Sequence, residues 1–335
     1  MKYRIIAAVA LGMLVLNLSG STLADSKAKK ARFSQLVSLL PASDGIVTLD
    51  ARRFFSDALP QVLSANQPFL GKVTSHIEEF NAKAGIDVRQ FDDVVVGVAA
   101  RQLAVKKHDV DVVVIARGQT ASTELIGVAK TKANGKYREE RVGDRVMYIF
   151  DAHKAVAQTP AAKVADRVEE VGVAAIDDRT IAFGDIGRVR QTLEGKTRVG
   201  TDLSTLIERN PSAIASFAAK PPAGLAAYLP LANDELGKNI DSIQYVYGNA
   251  NVLAGNATVH MTARTQQNAQ AASLLETVQG LQMIGKAFLG GSKAPDKRVY
   301  ARLIESAKFS LKANEVTFDL TVPQSDIDVL VGTLK

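Results

Sequence analysis

The chain has no cysteine in its 335 residues, so disulfides, thiolate nucleophiles and cysteine-built zinc sites are excluded at once. Histidine is scarce. His76, His108, His153 and His260 are isolated from one another in sequence, so no pair of histidines forms a zinc-protease pattern on one helix. There is no G-x-S-x-G elbow, and S-x-x-K occurs only at Ser26–Lys29, close to the N-terminus. A glycine-rich phosphate loop is missing too. Gly184-Asp185-Ile186-Gly187 lacks both the P-loop lysine and the Rossmann spacing, and reads as a strand-to-helix turn. The apolar run Ile5–Leu16 is twelve residues long, short of the roughly 20 that a membrane-spanning helix needs.

What the N-terminus does have is an export pattern. Lys2 and Arg4 form a basic start, Ile5–Leu16 the apolar centre, and Thr22-Leu23-Ala24 a small-residue cleavage site. Residues 1–24 therefore read as a signal peptide, and the mature chain as periplasmic or extracellular. No cysteine follows the signal to carry a lipid. The net charge of +6 invites a nucleic-acid reading until it is located. Lys2 and Arg4 leave with the signal, and Lys27, Lys29, Lys30 and Arg32 fall in residues 25–32, read as a solvated basic tail. The remaining body is close to neutral and shows no basic stripe for phosphates, so nucleic acid is not an expected partner.

The body is organised around Gly85–Gly118. Phe91–Ala99 and Val110–Ala116 are nearly unbroken apolar runs facing each other across a loop, and the same grammar returns in Ile240–Arg264. Phe91-Asp92-Asp93-Val94 matches Ile240-Asp241-Ser242-Ile243, and Ala116-Arg117-Gly118-Gln119 matches Ala263-Arg264-Thr265-Gln266. Each copy runs into a helix, then a hairpin, then a last helix. In Leu70–Ala84 the residues Leu70, Val73, Ile77, Phe80 and Ala84 recur at helical spacing as a buried stripe. In Gln267–Leu289 the inward set is Ala271, Leu274, Leu275, Val278, Leu281 and Ile284. The expected class is α+β, with two similar halves related by internal duplication at residues 33–195 and 203–335. Each half is a mostly antiparallel sheet with helices on one face.

The turn Leu40-Pro41-Ala42-Ser43-Asp44 before a strand, and Gly85-Ile86-Asp87 before an apolar strand, give the chain a family likeness. It resembles a set of uncharacterised secreted bacterial proteins built as duplicated sheet-and-helix domains. That resemblance implies a fold and export, and brings no catalytic residues with it. The second half departs from the pattern, with Lys220-Pro221-Pro222-Ala223 in place of the opening turn.

Chemistry was sought residue by residue. Asp109 and Asp111 alternate on a strand and share a face near His108, a possible carboxylate pair for a hard cation, but beside Lys106 and Lys107 they read as a solvated strand end. His76 and Glu79 share a helix face and read as solvent-facing. Asp92-Asp93, Glu78-Glu79, Glu139-Glu140, Glu169-Glu170 and Asp177-Asp178 are adjacent acids; on a strand such neighbours point to opposite faces and form no dyad. Tyr245 and Tyr247 share a strand face and read as sheet packing. No catalytic, cofactor-binding or metal-binding residue is assigned, and no cofactor is expected. The expected function is a non-catalytic binding or scaffold protein of the cell envelope, its partner an unknown envelope protein. The alternative is a carrier of an apolar small molecule such as a lipid, and a third, less favoured reading is a hydrolase with dispersed site residues.

Overall fold

The computed structural model describes residues 23–104, 107–151, 170–222, 234–291 and 294–333. These divide into two compact units, a larger one of Thr22–Phe55 and Leu70–Pro211 and a smaller one of Ser56–Phe69 and Ser212–Lys335. The expected signal segment lies outside the described residues except for its last two positions.

The larger unit runs α1 (Leu23–Val37), β1 (Gly45–Asp50), α2 (Gln67–Ala84, in this unit from Leu70), β2 (Phe91–Ala104), β3 (Lys107–Gly118), α3 (Ser122–Lys132), β4 (Tyr137–Val142), β5 (Arg145–Asp151), β6 (Glu170–Asp177), β7 (Thr180–Gly184), α4 (Ile186–Glu194) and α5 (Thr201–Ile207). Its strands form an antiparallel sheet in the order β1-β2-β3-β7-β6-β5-β4. The unbroken apolar character of β2 and β3 has a direct cause, because both faces are covered. On one face Val95, Val113, Ile115, Met147, Ala174 and Ala182 are buried, and Val189 of α4 packs beside Gly172 and Met147. On the other, Leu125 and Ile126 of α3 pack on Ala116, Ile181, Val94 and Val173. Gly172 and Val173 are neighbours on β6, so α4 and α3 lie on opposite faces. Helices on one face only, as the hairpin-rich order suggested, is therefore corrected for this unit.

A second correction concerns residues 25–32, read as a solvated tail. They belong to α1, whose Leu36 and Val37 are buried together with Phe33. Lys29 Nζ meets Asp50 Oδ2 at 2.8 Å with both side chains under a tenth exposed. Lys30 pairs with Glu208 at 3.2 Å and Arg32 with Asp93 at 3.6 Å. Burial lowers the Lys29 pKa, opposed by the charge and hydrogen bond of Asp50. These cations thus serve the body, and each has an acid from a distant segment. The α2 stripe also differs from expectation: Leu70, Val73, Ile77, Phe80 and Ala84 are half-buried, and no residue of α2 is fully buried. At the other end, α5, which the sequence placed in the second half, packs on β1 with Leu203 buried.

The smaller unit contains β8 (Ala215–Ala219), α6 (Asp234–Asp241), β9 (Ile243–Leu253), β10 (Asn256–Thr265), α7 (Asn268–Gly290), α8 (Pro295–Ser306), β11 (Lys308–Lys312), β12 (Glu315–Val322) and α9 (Gln324–Gly332). Its strands are antiparallel in the order β8-β9-β10-β12-β11. α7 starts with a reciprocal capping box between Gln267 and Gln270, and it buries Ala271 and Leu274 against Val316. Its second half turns away from the sheet. Leu281 and Ile284, expected inward, are 43% and 54% exposed, and Phe288 is 84% exposed. The reason is α8, which the sequence reading did not foresee. Gln282 Nε2 donates to Ile304 O (2.6 Å) and Ala307 O (2.9 Å) at the end of α8, and Gly285 admits Ile304. That contact sets the inward flank of α7 and leaves Leu281 and Ile284 outside it.

Candidate functional site: the polar face of the smaller sheet

Alternation along β10 puts Thr258, His260, Thr262 and Arg264 on one face and Val259, Met261 and Ala263 on the other. Register then decides what each polar residue meets. His260 stands opposite Asn249 of β9 and Asp319 of β12. Thr262 stands between Tyr247 and Thr317, Thr258 between Asn251 and Thr321, and Arg264 between Tyr245 and Glu315. Directly opposed residues share a face, so a whole face across three strands is lined by hydroxyl, amide, imidazole, carboxylate and guanidinium groups. The opposite face carries Val246, Ala250, Val252, Val316, Phe318 and Leu320 in the same rows, and α7 packs on that side.

Two close polar pairs mark this face. His260 Nδ1 lies 2.7 Å from Asp319 Oδ1, with side chains 45% and 53% exposed. Arg264 Nε and NH2 donate to Glu315 Oε1 at 2.8 and 2.6 Å. Its guanidinium sits 5.9 Å from the Tyr245 ring and 5.6 Å from that of Tyr247. Desolvation works to lower the Arg264 pKa, yet the hydrogen bond and charge of Glu315 leave it raised above the ordinary arginine value. Amides complete the row: Asn251 Nδ2 donates to Asn249 Oδ1 at 3.3 Å, and Asn251 Oδ1 accepts from the Ile214 N–H at 3.2 Å.

A histidine oriented by a carboxylate is the base half of a nucleophilic triad. The other half is out of reach. Ser216 shares the row, but Asn249 stands between it and His260. Two interstrand steps amount to about 10 Å, against roughly 3 Å for a hydrogen-bonded nucleophile and base. Thr258 and Thr262 lie two residues along the strand, about 7 Å away. The face can therefore hold and orient a hydrogen-bonding ligand; among the described residues of its strands, no nucleophile is poised beside its base. Among the described residues, no group of three or more His, Cys, Asp or Glu could hold a metal ion.

The residues weighed from sequence are scattered by the structure. His76 is exposed on α2. The side chains of His108 and Asp109 lie outside the described residues, as does His153, and Asp111 pairs with Arg101 at 3.5 Å. Gly184–Gly187 forms the turn from β7 into α4, where the Asp185 carboxylate accepts the Val112 N–H. Tyr245 and Tyr247 do share a face, with Arg264 as the added neighbour. The sequence marked His260 only as one of four isolated histidines, and Asn249, Asn251, Glu315 and Asp319 were missed as its neighbours on the face. The alternation Tyr245, Tyr247, Asn249, Asn251 was the available signal.

No family model matches the sequence, and no curated protein matches it. Among solved structures the chain is similar, at low identity, to TP0453 of Treponema pallidum. Crystal form I shows a TM-score of 0.45 with 8% identity, over 89% of this chain and 96% of that one. Crystal form III shows a TM-score of 0.46 with 8% identity, over 88% and 97%.

Proposed function

We propose that this chain is an exported, non-catalytic binding protein of the cell envelope, whose ligand or partner engages the polar face of β9, β10 and β12. The observation that supports this reading is the row Asn249–His260–Asp319, half-exposed and rich in donors and acceptors, with no nucleophile within reach among the described residues. A ligand fitting it would present several hydrogen-bonding groups to a flat surface and stack against the Tyr245 edge. Export rests on Lys2, Arg4 and the apolar run Ile5–Leu16. The two units are read as copies of one ancestral fold. In support, β1-β2-β3-β7-β6 and β8-β9-β10-β12-β11 follow the same order, with β4 and β5 as an added hairpin in the larger unit. A second reading, a carrier or partner for apolar molecules, draws on the exposed Leu281, Met283, Ile284 and Phe288 of α7.

The test is native mass spectrometry of the protein purified from its own envelope, beside the triple variant Asn249→Ala, His260→Ala, Asp319→Ala. The expected result is a bound species on the wild-type chain that the variant loses while its thermal melt is unchanged. A species held equally by both would move the site off this face. Should Phe288→Ser alone release it, the apolar reading replaces the polar one. N-terminal sequencing of the exported protein is expected to begin at Asp25.

A further inference from the structure

The larger unit carries a charged cluster that the polar face does not use. β2 begins with a bulge: Phe91 pairs with Gly118 and Asp93 with Arg117, so Asp92 is the extra residue between them. A bulge re-aims its side chain, and here the Asp92 carboxylate comes to lie between two arginines with its side chain 10% exposed. Arg52, in the short helical turn Ala51–Arg53 after β1, sends Nε (2.9 Å) and NH2 (2.6 Å) to Asp92 Oδ1. Arg179, from the turn between β6 and β7, sends NH2 to Asp92 Oδ2 (3.4 Å) and Nε to Gly118 O (2.7 Å). The Arg179 backbone is itself tied down, its N–H donating to Asp177 Oδ1 at 2.9 Å.

One carboxylate thus holds two guanidinium groups brought from separate segments. Their side chains remain 57% and 56% exposed, and among the described residues neither NH1 has a partner. Lys29, Arg32 and Arg53 lie nearby, each paired with Asp50 or Asp93, and Asp177 adds a carboxylate on the Arg179 side. Burial, ahead of the opposing pull of Arg32, raises the Asp93 pKa. Two cations fixed on one anion keep a net positive charge that a second anion can neutralise. Planar guanidinium forks match oxyanions in bidentate fashion.

We propose that Arg52 and Arg179, held in place by Asp92, form a binding site for an oxyanion of the phosphate class. The phosphate is carried either by a free small molecule or by a lipid headgroup. The experiment uses the full chain, titrated calorimetrically with inorganic phosphate and, separately, with vesicles of phosphatidylglycerol and of phosphatidylcholine. Saturable binding of phosphate identifies the free form, and binding to phosphatidylglycerol alone identifies the headgroup; either supports the site. Arg52→Gln and Arg179→Gln are each expected to weaken binding at least tenfold with unchanged thermal melts. Arg179→Lys, which keeps the charge and loses the fork, is expected to weaken it severalfold. Asp92→Asn separates a built clamp from a general basic patch, because it adds positive charge while releasing both arginines. Its affinity is expected to fall. Absence of binding to every probe, glutamine variants that bind like wild type, or an Asp92→Asn variant that binds more tightly would each overturn the proposal.

Discussion

Asp93→Asn should make the protein more stable at neutral pH, an unusual direction for a change at a buried position. Asp93 is 1% exposed, and neither carboxylate oxygen has a hydrogen-bond partner. Arg32 NH1 stands 3.6 Å from Oδ2, and the cross-strand neighbour is another acid, Asp50. Burial raises the Asp93 pKa above the ordinary carboxylate value; Arg32 and Lys29 oppose that rise while Asp50 and Asp92 add to it. An unsatisfied buried polar group costs about 1–3 kcal/mol, more when charged, and Arg32 and Lys29 recover part of it. A gain of about 1 kcal/mol for the asparagine variant at pH near 8 follows. The pH dependence gives the sign. An unfolded aspartate titrates near pH 3.9, whereas the native one holds its proton to higher pH. Between those two values the native state binds more protons, so stability falls as pH rises through the window. Asparagine has no such loss, so the difference between variant and wild type should be smallest below the unfolded value and grow as pH rises through the raised native one, reaching its full size above it. Urea melts followed by circular dichroism at one pH on each side of that window measure it. A variant less stable than wild type at the higher pH, or the same difference at both, would refute the reasoning.

Leu36→Ala removes a side chain with no exposed surface from α1 and is expected to cost about 2–5 kcal/mol in denaturant melts; Phe288→Ala, at 84% exposure, should stay within about 0.5 kcal/mol. Gly248→Ala would bring its Cβ to 2.2 Å from His260 O and 2.9 Å from Met261 Cα, backbone atoms of the paired strand, so a loss of about 1–3 kcal/mol is expected in the same assay. Val259→Asp puts a charge on the apolar face of β10 and should lose several kcal/mol, while His260→Ala gives up an exposed pair worth about 0–1 kcal/mol. The reverse order for those two would mean that β10 is slipped by one residue.

The strands were legible because period-2 alternation and turn residues are local. Gly143-Asp144 forms the turn of the hairpin β4–β5, and Asp178-Arg179 that of β6–β7. Thr258, His260, Thr262 and Arg264 do share a face. Helix existence was less secure where charge dominates: α8, PDKRVYARLIES, is rich in charged residues, and its short stripe of Val299, Leu303 and Ile304 was passed over. Its omission then misdirected α7, since periodicity reports which residues form a stripe and says nothing of what lies beside it. The all-apolar β2 carried a signal that was read only in part. A run apolar on both sides requires cover on both sides, and α3 and α4 supply it.

The charges show why the candidate sites stayed hidden. Composition gave an excess of positive charge, and position placed part of it in an apparent N-terminal tail. Yet Lys29 pairs with Asp50, Arg32 with Asp93 and Lys30 with Glu208, each joining residues far apart in the chain. Asp92-Asp93 was visible as an adjacent acidic pair, read by the strand rule as pointing to opposite faces; the bulge at Asp92 re-aims one of them. What that rule could not supply is the partner of each acid. Arg52 lies 40 residues before Asp92 and Arg179 lies 87 after it. Only the order β1-β2-β3-β7 brings those three segments to one end of the sheet. The same holds on the polar face, where Asp319 reaches His260 across 59 residues of chain. An alternating strand announces which side chains will face together, but the neighbouring strand decides what they face. In this chain a functional reading therefore depends on strand order more than on any motif.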